Sequence, residues 1–168
     1  DHGPLSTLLV WVDEQPCDYL CLANADSASG RMCYAGLNAA GFGIINTVAY
    51  NLPEGDGEMA DLEGAIMADA LRSCRTVADF EAYLSANLGR DLGSLANFGV
   101  LDAEGGAAVY EVHNHGFERL DAAAAPDGRL VVTNFARTGA EGEGAGYLRF
   151  ERATELFGEL APERVAAR

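Results

Sequence analysis

The chain has 168 residues, 49% of them apolar, with 26 acidic against 11 basic residues and a formal charge of −15. That length and apolar share suit one folded domain able to bury about two-thirds of its extended surface, and they exclude a disordered chain. The charge excludes general binding to nucleic-acid backbones or anionic membranes, and no apolar run is long enough to cross a bilayer.

Ser6 to Asp13 (STLLVWVD) predicts a first strand, rich in Leu, Val and Trp. Residues 13–17 turn the chain, and Asp18 to Asn24 (DYLCLAN) predicts a second strand. After the Asp26–Gly30 turn come strands over Met32–Leu37 and Phe42–Val48, joined by the small residues Asn38 to Gly41. Short strands joined by short links imply an antiparallel meander.

A helical region starts near Glu58, where Leu62, Ala65, Ile66, Ala70 and Cys74 carry an i, i+3, i+4 stripe. A second helix is expected over Val77 to about Leu88, with Thr76 and Asp79 spaced as a capping box and Phe80, Tyr83 and Leu84 facing inward. Strands resume at Asn97–Leu101 and Ala107–Val112, linked by Asp102-Ala103-Glu104-Gly105, a hairpin signal. Phe117–Leu120 and Arg129–Asn134 read as further strands. Arg137–Gly146 carries four glycines in a loop, and Tyr147–Phe157 predicts a last helix.

The order is strands, two helices, strands, helix, without alternating βαβ units and without repeats. This is an α+β chain, a single domain over residues 1–168. Two antiparallel sheets stacked face to face with helices outside would bury these elements.

The residues alone give thin chemistry. His113 and His115 share strand parity with Glu111 and could hold a metal, with His2 as a further donor, but Gly116 marks a turn where such polar side chains are ordinary. The expected metal is none, and no organic cofactor is implied. The glycine loop lacks a P-loop lysine. Cys33 and Cys74 sit in apolar runs as small buried hydrophobes, while the Cys17–Cys21 spacing admits a disulfide. Asn46, Asn97 and Asn134 each lie in or at the end of an apolar strand; a buried amide must satisfy both of its ends, and it can also donate to a developing oxyanion. Arg149, after the glycine loop, could anchor a carboxylate or a loop backbone. On these residues a binding module and an enzyme stand nearly level.

Gly36 to Thr47 (GLNAAGFGIINT) resembles a segment of the choloylglycine hydrolase and penicillin V acylase family, and of the related acyl-coenzyme A:6-aminopenicillanate acyltransferases. Ala96–Val112 is similar to a hairpin of the acyltransferase-like branch, Val132-Thr133-Asn134-Phe135 to its T-N motif, and Tyr147–Arg152 (YLRFER) to its Arg-Phe-x-Arg segment. The resemblance implies an N-terminal-nucleophile hydrolase fold, a four-layer αββα sandwich. It implies hydrolysis or acyl transfer at a linear amide C–N bond of a small N-acyl amide. In that family an N-terminal cysteine attacks the carbonyl and its own α-amine is the base. Asn134 matches the family's oxyanion asparagine and Arg149 its arginine near the nucleophile. Asn46 lies near a second asparagine that faces the site.

The chain departs from the pattern at its start. No cysteine precedes Cys17, whose turn context does not match a nucleophile. Asp1 fits the aspartate that closes the family's Arg-Asn-x-Asp segment. The expectation is therefore a chain truncated at its N-terminus, lacking the nucleophile and a core strand, inactive alone, and exposing a face that invites a missing segment or a second copy. The alternative is a non-catalytic module for small-molecule or protein binding on the same scaffold. No signal peptide is visible, and the compartment stays open.

Overall fold

The computed structural model describes residues 7–24, 32–53, 62–87 and 94–159. Seven strands form one antiparallel sheet whose spatial order follows the chain: β1 (Thr7–Val12), β2 (Tyr19–Asn24), β3 (Cys33–Asn38), β4 (Gly43–Val48), β5 (Ala96–Leu101), β6 (Ala107–His113) and β7 (Gly116–Asp121). Two helices, α1 (Glu63–Ser73) and α2 (Val77–Asn87), lie between β4 and β5 in sequence, and α3 (Ala145–Glu159) ends the described chain.

The α+β class and the meander follow the sequence reading. The stacking does not. The two strand sets that flank the helices do not meet face to face, because β4 pairs edge to edge with β5, Gly43 opposite Leu101 through Val48 opposite Ala96. Among the described residues there is one sheet. A period-two pattern places apolar side chains on a face but carries no information on which strand edge joins which.

The register sorts the sheet into two faces. Tyr19, Cys21, Ile44, Phe98, Tyr110 and Val112 lie on the face under α1 and α2 and are buried. Phe80 of α2 is fully buried at the centre of this layer. Its ring meets Phe42, Phe98 and Tyr110 at centroid distances of 6.1, 5.9 and 5.3 Å, the last two edge-on, the arrangement that aromatic quadrupoles favour. Helix α1 docks on β3 through Gly36, where an added Cβ would lie 2.4 Å from Leu71 Cδ1.

The capping box predicted for α2 is present: Asp79 N donates to Thr76 Oγ1 at 3.1 Å and Thr76 N to Asp79 Oδ2 at 3.0 Å. Asp102, in the β5–β6 turn, also accepts from Val77 N at 2.8 Å, so hairpin and helix start are tied together. Asn38 closes the β3–β4 corner. It accepts from Ala40 N and Phe42 N and donates to Leu71 O and Cys74 O, so both ends of the amide are used.

The four cysteines are buried free thiols, and no Cys17–Cys21 disulfide forms. Cys21 instead hydrogen-bonds Cys33 on the neighbouring strand. Burial pushes the Cys74 thiol up to about 11, against thiolate chemistry there. No helix among the described residues is long and apolar enough to cross a membrane.

Candidate active site

The second face of the sheet is divided by rows. Two cross-strand rows are apolar or small: Leu9, Leu22, Ala35, Ile45 and Gly99 in one, Trp11, Leu20, Leu37, Gly43 and Leu101 in the other. They are largely uncovered, with Leu9 66% and Trp11 61% exposed. The next row is polar: Thr47, Asn97, Glu111 and Glu118. Over that row lies the segment that follows β7.

Side chains hold the segment there. Asn97 Nδ2 donates to Thr133 O at 3.1 Å and to Phe135 O at 2.9 Å, and Thr47 Oγ1 donates to Thr133 O at 2.8 Å. Asn51, just past β4, accepts from Ala136 N at 2.7 Å and donates to Ala136 O and Ala140 O. Glu111 is fully buried; its carboxylate accepts from Arg137 N at 2.5 Å, and from Thr138 N at 2.9 Å and Oγ1 at 2.5 Å. Gly139 passes so close to Asn51 that a Cβ would lie 2.6 Å from its carbonyl oxygen. The strand predicted for Arg129–Asn134 is absent for this reason. Its carbonyl at Thr133 is taken by side chains of the sheet, and only an isolated bridge between Thr133 and Phe135 remains.

Helix α3 rests on this segment through rings and one hydroxyl. Phe135 stacks on Tyr147 at 4.0 Å and meets Phe150 edge-on at 5.3 Å, while Thr133 Oγ1 donates to Gly146 O. None of the helix's residues is buried, so these contacts, with the hydrogen bonds of Arg149 to Asn134 and of Arg129 to Phe157 O, carry its placement.

Between α3, the glycine loop and Tyr50-Asn51 lies a cavity of about 540 Å³. It brings together two of the residues singled out in the sequence. Arg149 Nη2 donates to Asn134 Oδ1 at 2.5 Å. A guanidinium only donates, so it fixes which end of the amide it meets. The oxygen is turned to Arg149, and the Asn134 Nδ2 donor makes no other hydrogen bond among the described residues. The start of α3, whose first-turn N–H groups favour negative charge, lines the same cavity at Ala145 and Gly146. The wall thus offers a preset amide donor, a permanent cation and a helix start to an electron-rich oxygen.

Asn46 does not join them. It pairs opposite Phe98 and lies on the helix-covered side, one residue out of phase with Thr47, which reaches the segment. Asp1 and His2 lie outside the described residues. No cysteine lines the cavity. Asn97 and Glu111, weighed in the sequence as an oxyanion donor and a metal ligand, are both anchors of the covering segment; Asn97 Oδ1 is buried and has no partner among the described residues. His113 Nδ1 accepts from His115 N at 3.3 Å. Burial and the neighbouring His115 hold the His113 imidazole below its ordinary value. Among the described residues no three His, Cys, Asp or Glu side chains converge as a metal set.

The arrangement of sheet and helix pair is shared with a solved structure at low sequence identity. A single-residue variant of the conjugated bile acid hydrolase from Clostridium perfringens superposes with a TM-score of 0.52 at 9% identity, over 86% of this chain and 59% of that one. The penicillin V acylase from Agrobacterium tumefaciens aligns over 70% of this chain and 38% of its own, at 12% identity and a TM-score of 0.45. The chain thus spans between about two-fifths and three-fifths of the length of these two structures. No family model matches the sequence, and no curated protein matches it.

Proposed function

We propose that this chain is the carbonyl-binding part of an amide hydrolase of the N-terminal-nucleophile class. The nucleophilic cysteine would come from polypeptide outside the chain, and the substrate would be a small N-acyl amide. The observation that carries the reading is the Arg149–Asn134 pair: a guanidinium that fixes an amide so that its N–H2 end is left for the cavity. In hydrolysis or acyl transfer, attack on the carbonyl carbon places a full negative charge on its oxygen. A preset donor gains more from that oxyanion than from the ground-state carbonyl. Arg149 would hold the amide in place, with the Glu143 carboxylate on the same cavity wall.

The same reading accounts for the open apolar rows. A second sheet stacked on Leu9, Trp11, Leu20, Leu37, Ile45 and Leu101 would complete the αββα sandwich, and the patch carries no charge that would oppose it. The Asp1 role belongs to that proposal. A second reading, a non-catalytic small-molecule module, is favoured by one observation: all four cysteines are buried and none lines the cavity.

Incubating this polypeptide with a panel of N-acyl amides is expected to give saturable binding without turnover. Asn134→Ala is expected to weaken that binding by up to about tenfold, the value of one neutral amide–carbonyl hydrogen bond. Turnover by the chain alone that disappears in Cys17→Ser would overturn the assignment of the nucleophile. Binding indifferent to Asn134 would overturn the assignment of the site.

A further inference from the structure

Asn97 is 1% exposed in β5, paired with Thr47 of β4 on one side and Glu111 of β6 on the other. Its backbone is held on both sides by the sheet, so its side chain leaves from a fixed point. Asn97 Nδ2 donates to Thr133 O at 3.1 Å and to Phe135 O at 2.9 Å, with Thr47 Oγ1 farther off at 3.4 Å. These two carbonyls belong to the residues on either side of Asn134. The segment bends at that residue, between the bridged Thr133 and Phe135, and one amide of the sheet spans the bend. Asn97 does not line the cavity itself.

Asn134 is therefore fixed by three contacts of different kinds. Asn97 binds the flanking carbonyls, Gly146 of α3 packs on the backbone where an added Cβ would lie 3.4 Å from Asn134 C and O, and Arg149 binds the side-chain oxygen. No other side chain of the sheet does what Asn97 does. Thr47 reaches Thr133 O but not Phe135 O, and Glu111 binds further along, at Arg137 and Thr138. A primary amide has two N–H protons and serves two carbonyls, whereas a hydroxyl has one and a carboxylate none.

We propose that Asn97 is the positioning residue for the Asn134 donor: by binding both flanking carbonyls it fixes the backbone from which the Asn134 amide meets the cavity. Arg149 sets which end of that amide is offered, and Asn97 sets where the amide stands. A donor of this kind works when the groups behind it hold it to within about 0.5 Å. The role rests on the carbonyl-binding reading of Asn134.

The test compares the 168-residue chain with Asn97→Thr and with Leu84→Ala, a closed-face variant that lowers stability away from the segment. NMR follows the Asn134 side-chain amide, first without ligand and then with N-acetylglycinamide as the probe. Asn97→Thr is expected to lower the heteronuclear NOE of the Asn134 side-chain nitrogen at least twofold and to weaken the probe at least fivefold. Leu84→Ala is expected to leave the NOE unchanged and the probe within twofold. An Asn134 amide as rigid in Asn97→Thr as in the wild type overturns the proposal, even where the probe binds. Equal loosening in Leu84→Ala overturns it too, since the effect would then be one of general stability. Loosening by Asn97→Thr alone, in a chain whose wild type binds no probe, upholds the hold of Asn97 on Asn134 and overturns the carbonyl-binding reading instead. One measurement needs no variant: in the wild type the two Asn97 Nδ2 protons are expected to exchange with solvent at least tenfold slower than those of free asparagine, and fast exchange of both overturns the proposal.

Discussion

The two faces of the sheet are built from the same kinds of residue and reach different ends. Under α1 and α2 the layer is closed: Phe80, Phe98, Tyr110 and Val112 are fully buried and their rings interlock. On the other face the strands carry Leu9, Trp11, Leu37 and Ile45, as apolar as anything beneath the helices, yet all are exposed. On that face the cover lies over the polar row, with Val109 beside it also buried, and it is held by hydrogen bonds together with a small apolar cluster of Ala136, Ala49, Leu52 and Leu95. Hydrophobic pattern therefore sets which residues share a face, while the covering element decides whether the face is a core. The candidate active site lies on the side where the cover is hydrogen-bonded, where donors can be held in place without being consumed by a packed core.

The largest effect expected from breaking this contrast is on the closed face. Phe80→Ala removes the ring at the centre of the aromatic cluster and should cost about 3–5 kcal/mol in chemical denaturation, the usual range for a buried Phe. A loss under 1 kcal/mol would mean that α2 is not seated on the sheet as described.

Next comes the polar row. Glu111→Ala removes the acceptor for Arg137 N, Thr138 N and Thr138 Oγ1. It should cost roughly 2–3 kcal/mol, because backbone donors lose a charged partner. The specific sign is local: limited proteolysis should cut within residues 133–144 at least tenfold faster, while the β5–β6 amides keep their hydrogen-exchange protection. Uniform loss of protection across the sheet would place Glu111 in the global core instead.

A smaller effect is expected with pH. The Tyr110 hydroxyl and then Arg119 hold the Glu81 carboxyl below its ordinary value, and backbone N–H groups of Val77 and Gly106 do the same for Asp102. A carboxyl lowered in the folded state contributes stability that is complete above its unfolded value, about 4, and is lost as pH falls through the folded one. Thermal midpoints should therefore fall only slightly from about pH 7 to 5, where the unfolded chain protonates His113 more readily than the folded one, and fall more steeply below about pH 4. Asp102→Asn should make that fall shallower; an unchanged acid limb would show that the turn-to-helix tie contributes nothing.

The smallest effect belongs to the open rows. Trp11→Thr, at a site 61% exposed, should change the stability of the chain by no more than about 0.5 kcal/mol. It should lower concentration-dependent self-association in sedimentation, as expected of an apolar patch left without its cover. A loss of several kcal/mol would show that Trp11 already packs in the isolated chain.

Much of this was legible in the residues. Period-two runs located every strand of the meander, and the Thr76–Asp79 spacing located the start of α2. The joining of β4 to β5 was not legible, since the helices between them separate the partners and alternation cannot distinguish pairing from stacking. Arg129–Asn134 has the composition of a strand, yet its carbonyls meet side chains of Asn97 and Thr47, a choice made by tertiary contacts. Asn134, an amide ending an apolar run, and Arg149, a cation after the glycine loop, drew attention as residues and again by motif resemblance; nothing in their spacing of fifteen residues shows that they touch. Asn38 escaped notice as a structural amide, although an Asn followed by two alanines and a glycine is a turn signal that could have found it. Glu111 drew attention for the wrong role. An acidic residue amid Ala, Val and Tyr must be neutralised or bonded, and here backbone N–H groups of the covering segment do it.

The account rests most directly on the side-chain amide of Asn134. Its two N–H resonances can be followed by NMR while an N-acyl amide is titrated into the chain, in the wild type and in Arg149→Gln. The account predicts a saturable shift of the Asn134 Nδ2 signals in the wild type and affinity about tenfold lower in Arg149→Gln, where the amide is no longer held by the guanidinium. Saturable binding elsewhere on the molecule, with the Asn134 amide signals unmoved in both proteins, would contradict it.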